Sequence, residues 1–116
     1  MEAIPQDAQA DEEGYATWYG PRFHGKRTAS GERYNMHALT AAHPSLPFGT
    51  LLRVRSLLNG KQVTVRVNDR GPFTGAYVID LSRAAAQAIG LLGIGTKEVA
   101  ITVLSAQAGN RMAPAR

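Results

Sequence analysis

The sequence predicts a mainly β protein folded as one small closed barrel. Five or six short segments have strand composition, an Asn59-Gly60 pair joins two of them, and twelve glycines and six prolines mark frequent turns among the 116 residues. Short strands separated by tight turns are typical of small barrels, in which closure leaves no exposed sheet edge. The length fits a single domain that can bury its own core.

The first strand is predicted over GYATWYG, residues 14–20, where tyrosine and threonine alternate with Ala16 and Trp18. The next stretch, 21–33, is polar, punctuated by glycine and without a regular period, so it is predicted to be a long loop. Long loops inside compact domains often carry function. A short second strand is predicted within HALTAAH at 37–43.

A hairpin is the clearest local signal. The segments TLLRVRSLL and KQVTVRVND flank Asn59-Gly60, the preferred pair for a two-residue type I′ turn. Such a turn pairs Leu58 with Lys61 and, further along the strands, Leu52 with Val67. The apolar faces of the two strands then coincide, which supports this register.

The last third of the chain predicts a strand, a helix and a closing strand. YVIDLS at 77–82 has strand composition, and Ser82 is placed to cap a helix, RAAAQAI, that ends at Gly90. KEVAITVL at 97–104 alternates apolar residues and predicts the closing strand.

Composition narrows the possible functions. The chain has no cysteine, which excludes disulfides, thiolate metal sites and a cysteine nucleophile. A formal charge of +4 favours an anionic partner, and nucleic acid, lipid headgroups and cell-wall polymer all qualify. The basic residues are dispersed and no aromatic-basic RNA motif occurs, so a nucleic-acid partner is not expected. No segment reaches the ~20 apolar residues of a membrane span, and no signal-peptide pattern is visible.

The chain is predicted to be one domain with polar ends. The barrel domain is expected over residues 14–105, between a disordered acidic segment at 1–13 and a flexible tail at 106–116.

Asp69 interrupts a strand pattern. In TVRVNDRGPF it stands two residues after Val67, where another valine is due, so its side chain is predicted to face the core at the mouth of the barrel. Partial desolvation would favour the neutral acid there, as suits a proton donor. The alternative is a turn-capping aspartate that binds the amides of the Arg70-Gly71 turn. The Arg70 side chain is predicted to project to the other face, with Asp80 as its partner.

Several motifs occur together in one order: ATWYG, SGE, LTAAH, LPFG, NDRGP and VIDLSRAAAQAIG. From about Gly14 to Leu104 the sequence resembles the double-psi β-barrel domain of the rare lipoprotein A (RlpA) family of septal lytic transglycosylases. The resemblance implies a six-stranded double-psi β-barrel with one or two short helices and a groove that holds glycan. It also implies cleavage of peptidoglycan strands, preferably those stripped of stem peptides.

The resemblance implies the catalytic residues as well. Asp69 matches the family's acid, Glu32 its loop carboxylate and His43 the histidine that ends LTAAH. A lytic transglycosylase protonates the glycosidic oxygen between N-acetylmuramic acid and N-acetylglucosamine. It then takes the proton of the muramyl C6 hydroxyl as that hydroxyl attacks C1 and forms a 1,6-anhydro end. One carboxyl group can do both, and this role is assigned to Asp69.

Other interpretations stay open at this stage. Judged from the residues alone, Glu32 could be a solvated loop residue and His43 a structural histidine. Asn35 stands where active relatives can have an aspartate, which keeps a non-catalytic, expansin-like glycan-binding barrel as an alternative. The pair of Asp69 and Glu32 also keeps an inverting glycan hydrolase open.

The remaining predictions concern binding and location. The predicted substrate-binding residues are Tyr19, Arg33, Asn35, Thr40, Asn68 and Phe73, and most other aromatic side chains are expected in the core. No metal or cofactor is expected, because the histidines lack the spacing of ligands. The expected partner is the peptidoglycan glycan strand, bound by a monomer without a membrane span. The expected location is the periplasm or cell envelope, or outside the cell, with neither a signal nor a lipid anchor visible in the chain.

Overall fold

The computed structural model describes residues 10–93 and 97–105, and this part of the chain forms a closed barrel of six strands with one short α-helix. The elements are β1 (Glu12–Trp18), β2 (Thr40–Ala42), β3 (Leu51–Ser56), β4 (Gln62–Asp69), β5 (Tyr77–Leu81), α1 (Arg83–Ala88) and β6 (Lys97–Ser105). Around the barrel the strands follow the order β1, β5, β2, β4, β3, β6. The predicted barrel of short strands is confirmed. Its first strand begins at Glu12, inside the segment predicted to be disordered, whereas 1–9 and 106–116 lie outside the described residues.

The core fills the inside of the barrel with alternate residues of the strands. Its buried side chains are Ala16, Ala41, Leu52, Val54, Val65, Val67, Ile79, Leu81, Val99 and Ile101 from the strands, with Ala85, Ala86, Ile89 and Leu91 from α1 and its end. Full burial of one large apolar side chain is worth about 1.5–3 kcal/mol relative to exposure. Because strand side chains alternate between faces, the residues between these core positions lie on the outer face of the barrel.

Two of the strand pairings around the barrel are parallel. β1 runs parallel to β5 and β2 runs parallel to β4, whereas the other neighbours are antiparallel. Both parallel pairs join strands that are not consecutive in sequence, so no hairpin turn predicts them. They set the lateral alignment of four strands on one side of the barrel.

The predicted register of the β3–β4 hairpin is wrong. Leu52 pairs with Val65 rather than Val67, and the Ser56 N–H donates to the Lys61 carbonyl at 2.8 Å, so the loop spans residues 57–60. The difference from the predicted register is two residues. A shift of two keeps every side chain on its face, which is why the apolar pattern agreed with both pairings.

The buried hydroxyl of Ser56 favours the longer loop. Its oxygen accepts hydrogen bonds from the Leu58 N–H at 3.2 Å and the Asn59 N–H at 3.4 Å. Gly60 has a φ of 77°, whereas no non-glycine residue among those described has a positive φ. A type I′ turn needs positive φ at both central residues, so Asn59 does not meet its requirement.

The predicted core-facing orientation of Asp69 is wrong as well. Ala41 pairs with Val67, but the next residue, Ala42, pairs with Asp69, so Asn68 is an extra residue that forms a β-bulge. The bulge shifts the alternation by one, and Asp69 lies on the outer face of the barrel. Alternation read from the sequence fails here because a bulge leaves no signature in the apolar pattern.

The predicted helix is confirmed, with Ser82 as its N-cap. The Ser82 hydroxyl accepts a hydrogen bond from the Ala85 N–H at 3.2 Å and donates one to the Ala38 carbonyl at 2.6 Å. It therefore satisfies an end group of the helix and a carbonyl of the chain leading into β2. Gly90, with a φ of 76°, follows the helix end. No helix in the described ranges has the length and apolar character required to cross a membrane.

Candidate active site

Four residues from four neighbouring strands form a row on the outer face. Thr17 of β1 pairs with Asp80 of β5, Asp80 pairs with Ala42 of β2, and Ala42 pairs with Asp69 of β4. This outer row, Thr17–Asp80–Ala42–Asp69, places two aspartates on either side of one small residue. Both aspartates are partly buried.

Asp69 is held by hydrogen bonds from two distant parts of the chain and from the next residue. Its Oδ2 accepts the Tyr19 hydroxyl at 2.6 Å, and its Oδ1 accepts the N–H of Ala29 at 2.8 Å and of Arg70 at 2.9 Å. The Arg70 contact is the one expected of a turn-capping aspartate. The other two contacts bring Tyr19, the residue directly after β1, and the long loop to the same carboxylate, so Asp69 does more than close its own turn.

The Tyr19 phenol stays protonated and donates a hydrogen bond to Asp69. Burial raises the pKa of the Tyr19 phenol well above its usual range, and the hydrogen bond to Asp69 raises it further. The Tyr19 ring also stacks on the ring of Tyr34 with centroids 4.5 Å apart. The Tyr34 hydroxyl in turn accepts the Arg83 N–H at 3.0 Å, which connects the site to the start of α1.

The long loop predicted at residues 21–33 folds over this side of the barrel. Within it, the Thr28 N–H donates to the Glu32 carbonyl at 2.7 Å, and Gly31, with a φ of 96°, allows the reversal between them. The Ser30 N–H donates to the Asn68 carbonyl at 3.3 Å. Backbone N–H groups of the long loop therefore donate hydrogen bonds to both the bulge residue, Asn68, and Asp69.

Glu32 lies beside the row as a paired carboxylate. Its two oxygens accept hydrogen bonds from the Arg66 guanidinium at 2.5 and 3.2 Å, and Asn68 Nδ2 donates to Oε1 at 2.9 Å. The Arg66 hydrogen bonds, and with less weight the Asn68 bond, hold the pKa of Glu32 below its usual range. Glu32 is therefore ionised at neutral pH, as a charge that positions the loop rather than as a proton donor.

Replacing Glu32 by glutamine is expected to loosen the long loop without unfolding the barrel. The pKa of Glu32 is lowered in the folded chain, so its contribution to docking is present above about pH 4.3 and is lost as pH falls through the lowered pKa. Hydrogen exchange of the Thr28 and Ser30 amides should speed up in Glu32→Gln at neutral pH, and the difference from wild type should close in acid. Glu98→Gln, an exposed site on β6, is the matched control.

His43 is buried and fully engaged by protein groups. Its Nδ1 accepts the N–H of Ser45 at 3.1 Å and of Leu46 at 3.2 Å, which leaves Nε2 to donate to Glu12 Oε1 at 2.9 Å. The carboxylate it meets is therefore Glu12 rather than Glu32 or Asp69. Its own N–H donates to the Asp69 carbonyl at 3.1 Å, so His43 supports the backbone of the site.

The other predicted site residues are spread over different environments. Phe73 is 76% exposed in the segment after β4. Arg33 donates to the Gly25 carbonyl at 3.0 Å, Asn35 Oδ1 accepts the His37 N–H at 2.9 Å, and Thr40 is buried at the start of β2. Of the predicted set, the structure gathers Tyr19, Asn68, Asp69 and Glu32 around one area.

The predicted pairing of Arg70 with Asp80 is wrong. The Arg70 guanidinium lies 4.2 Å from the ring centroid of Phe48 and donates to the His43 carbonyl at 3.2 Å. The Asp80 carboxylate instead accepts a hydrogen bond from the Thr17 hydroxyl. No group of three or more His, Asp or Glu side chains in the described ranges is arranged to hold a metal ion.

Sequence reasoning did not single out Thr17 or Asp80 as site residues. The position of Asp80 between two apolar residues, Ile79 and Leu81, could be read from the sequence, and both are buried in the structure. What the sequence lacks is any sign that β1 and β5 pair in parallel across about sixty intervening residues.

The barrel and its outer row define a class of protein: a double-psi β-barrel with a carboxylate site on one face. The chain belongs to the family described as "Lytic transglycolase", which matches residues 11–101, and the resemblance to the RlpA family is confirmed. It is 60% identical over 91 residues to the "Probable endolytic peptidoglycan transglycosylase RlpA" of Synechocystis sp., a match that covers 78% of this chain and 28% of the relative. It is 52% identical over 103 residues to the "Endolytic peptidoglycan transglycosylase RlpA" of Campylobacter jejuni, covering 86% of this chain and 38% of the relative. The chain thus spans about a third of the length of these relatives.

Solved structures confirm the fold. The Streptomyces papain inhibitor superposes with a TM-score of 0.61 at 22% identity, over 80% of this chain and 96% of that chain. An expansin of Clavibacter michiganensis superposes with a TM-score of 0.62 at 21% identity, over 79% of this chain and 49% of that chain. At this level of identity the likeness concerns the barrel, which other functions also use.

Proposed function

We propose that this chain is a lytic transglycosylase that cleaves peptidoglycan glycan strands and leaves 1,6-anhydromuramyl ends. The observation that carries the proposal is Asp69, a carboxylate on the outer face that Tyr19, directly after β1, and the long loop hold in place together. The family match and the names of the relatives support the same reaction. The proposed place of action is the bacterial cell envelope, where this polymer lies.

The reaction needs proton handling and no external nucleophile. The muramyl C6 hydroxyl attacks C1 of its own sugar, the bond from C1 to the leaving oxygen breaks, and that oxygen takes a proton. Asp69 is the proposed acceptor of the C6 hydroxyl proton, because its oxygens accept hydrogen bonds from Tyr19 and Ala29 and are thus oriented as a base. A single carboxyl can also supply the proton to the leaving oxygen and regain it in the second half of the reaction.

Two exposed aromatic rings near Asp69 are the proposed sugar platforms. Phe23 is 40% exposed and packs against Tyr19 in a T-shaped arrangement, with ring centroids 5.8 Å apart. Phe73 follows the turn at Gly71, directly after Asp69, and is largely exposed. Flat rings with exposed faces suit the apolar faces of pyranose sugars, so a glycan strand is proposed to run from Phe23 across Asp69 to Phe73.

Exposed cations near the long loop suit the anionic groups of the polymer. Arg22, Lys26, Arg27 and Arg33 are all exposed. Arg27 and Arg33 are fixed by hydrogen bonds to carbonyls within the loop, Gly31 and Gly25, at 2.7 and 3.0 Å. Their proposed role is to attract muramyl carboxylates, a contribution that salt would weaken.

The pairing of Glu32 argues against an inverting hydrolase that would use Asp69 together with Glu32. An inverting hydrolase needs a second carboxylate that is available to activate water on the far side of the sugar. The Arg66 guanidinium binds both oxygens of Glu32 and Asn68 binds one of them, and these hydrogen bonds lower the pKa of Glu32 and make it a weaker base. Glu32 is therefore proposed to position the loop beside the glycan.

Mass analysis of products tests the proposal. Peptide-free glycan strands incubated with the chain should yield new anhydromuramyl ends. Reducing muramyl ends would instead show that the chain hydrolyses the glycan, and would contradict the proposed reaction. Retained glycan binding without any new ends would make the chain a binding barrel of the expansin kind.

A further inference from the structure

Asp80 is a partly buried carboxylate that the reaction described above does not yet use. It stands between Ile79 and Leu81, which are both buried, so its own side chain lies on the outer face of β5. Its Oδ1 accepts the hydroxyl of Thr17, the neighbouring residue in β1. An acidic group at this depth, between core positions, needs a reason beyond solubility, because burial disfavours its charge.

The sheet brings Asp80 close to Asp69. Ala42 is the register partner of both aspartates, so one strand with a methyl side chain separates them. Adjacent strands lie about 4.8 Å apart, which sets the two backbones about 10 Å apart, within reach of a single disaccharide. Asp80 Oδ2 lies 3.9 Å from the position that a Cβ at Gly71 would occupy, so it faces the turn directly after Asp69.

The surroundings of the two carboxylates differ. Asp69 accepts three hydrogen bonds, which stabilise a negative charge, whereas a single donor, the Thr17 hydroxyl, is found for Asp80 among the described residues. Burial raises the pKa of Asp80 and the charge of Asp69 raises it further, against the opposing effect of the Thr17 hydrogen bond. Of the titratable groups that face Asp80, Asp69 is the anion, and Tyr19 stays a neutral phenol because burial raises its pKa. Two carboxyl groups with different surroundings are a common arrangement for an acid and a base.

We propose that Asp80 is a second catalytic residue, which donates its proton to the glycosidic oxygen while Asp69 removes the proton from the muramyl C6 hydroxyl. The assignment rests on the proposed transglycosylase function. As the bond from C1 to the leaving oxygen breaks, the Asp80 proton goes to that oxygen. O6 forms the new bond to C1 and its proton goes to Asp69, so no water is consumed. Proton exchange with solvent then restores both groups, and Thr17 is a positioning residue for Asp80.

Asp80 should also lower the stability of the folded chain at neutral pH. The folded chain binds the Asp80 proton more tightly than the unfolded chain does. The free energy of unfolding therefore falls as pH rises from the ordinary aspartate pKa, about 3.9, through the raised pKa. Asp80→Asn should then melt at a higher temperature than wild type at neutral pH, with a difference that shrinks below about pH 4.

The test combines activity with stability. On peptide-free glycan, Asp80→Asn should lose about 10²- to 10⁴-fold in the rate of anhydromuramyl formation, the usual worth of a general acid, while its melting temperature rises at neutral pH. An active wild type together with an Asp80→Asn variant of equal rate would overturn this assignment and leave the proposed function standing. A wild type that forms no anhydromuramyl ends would remove the proposed function and the assignment with it.

A second variant keeps the proposal testable if Asp80→Asn does not fold. Thr17→Val removes the hydrogen bond that lowers the pKa of Asp80, so the alkaline limb of its pH–rate profile should move to higher pH. Thr64→Val, at an exposed threonine of β4, is the matched control and should leave the profile unchanged. A Thr17→Val profile that coincides with wild type would overturn the role of Asp80.

Discussion

Asp69→Asn is expected to lower the rate of anhydromuramyl formation by about 10²- to 10⁴-fold, the range for removal of a general acid or base. Asparagine has the same shape and can still accept the Ala29 N–H, so the long loop should stay docked. What it lacks is the ability to take a proton from the sugar hydroxyl. The rate should therefore fall while glycan binding and the melting temperature change little.

The control for Asp69→Asn is Asp11→Asn. Asp11 also accepts a backbone N–H, that of Val103 at 2.7 Å, but it lies directly before β1 and beside β6, away from the outer row. Its replacement should leave the rate near wild type. An Asp69→Asn variant that still cleaves at the wild-type rate would contradict the role proposed for this carboxylate.

Leu81→Ala is expected to be the most destabilising of the substitutions considered, at about 2–5 kcal/mol, because it opens a cavity in a core that cannot fully collapse. Leu81 is fully buried and pairs with Ala41 of β2, next to the pairing of Asp80 with Ala42. For a domain of this size, 1 kcal/mol moves the melting temperature by about 4–8 °C. Thermal unfolding should therefore shift down by at least about 8 °C.

Leu58→Ala is the matched comparison for Leu81→Ala. Leu58 is 73% exposed in the loop between β3 and β4, so the same change of side chain there opens no cavity. Its melting temperature should stay close to that of wild type. Similar losses in both variants would mean that Leu81 does not belong to the core that supports the outer row.

The strands and the helix could be predicted because their signals are local. Alternation identified each strand within a few residues, and the Ser82 cap located the start of α1. The hairpin register could not be settled in the same way. Two registers that differ by two residues bury the same side chains, and the hydroxyl of Ser56 decides between them only once its burial is known.

The candidate site was predictable only in part, because its geometry depends on non-local pairing. Asp69 was identified from the interrupted strand pattern and then from the resemblance to a family, and Glu32 from the resemblance alone. The orientation of Asp69 depends on the bulge at Asn68, which reverses the alternation without changing the composition of β4. Asp80 lies in the site because β5 pairs in parallel with β1 and antiparallel with β2, and no local sequence pattern encodes these pairings.

The paired state of Glu32 shows why residue type alone does not give a role. From the sequence it was a loop carboxylate near a catalytic aspartate. In the structure Arg66, on the outer face of β4, takes both of its oxygens. The opposite case is Asp80, whose carboxylate meets a neutral hydroxyl and a nearby like charge. The neighbours of each carboxyl group therefore decide its role: Glu32 is a fixed anion, and Asp80 is the proposed proton donor.

Cleavage in water enriched in heavy oxygen tests the central claim most directly. If the muramyl C6 hydroxyl is the nucleophile, the new ends formed from peptide-free glycan by the wild-type chain should be anhydromuramyl and carry no heavy oxygen. The same ends should be almost absent with Asp69→Asn. New ends that carry one heavy oxygen atom would show that water attacks C1, and would contradict the transglycosylase reaction proposed for this barrel.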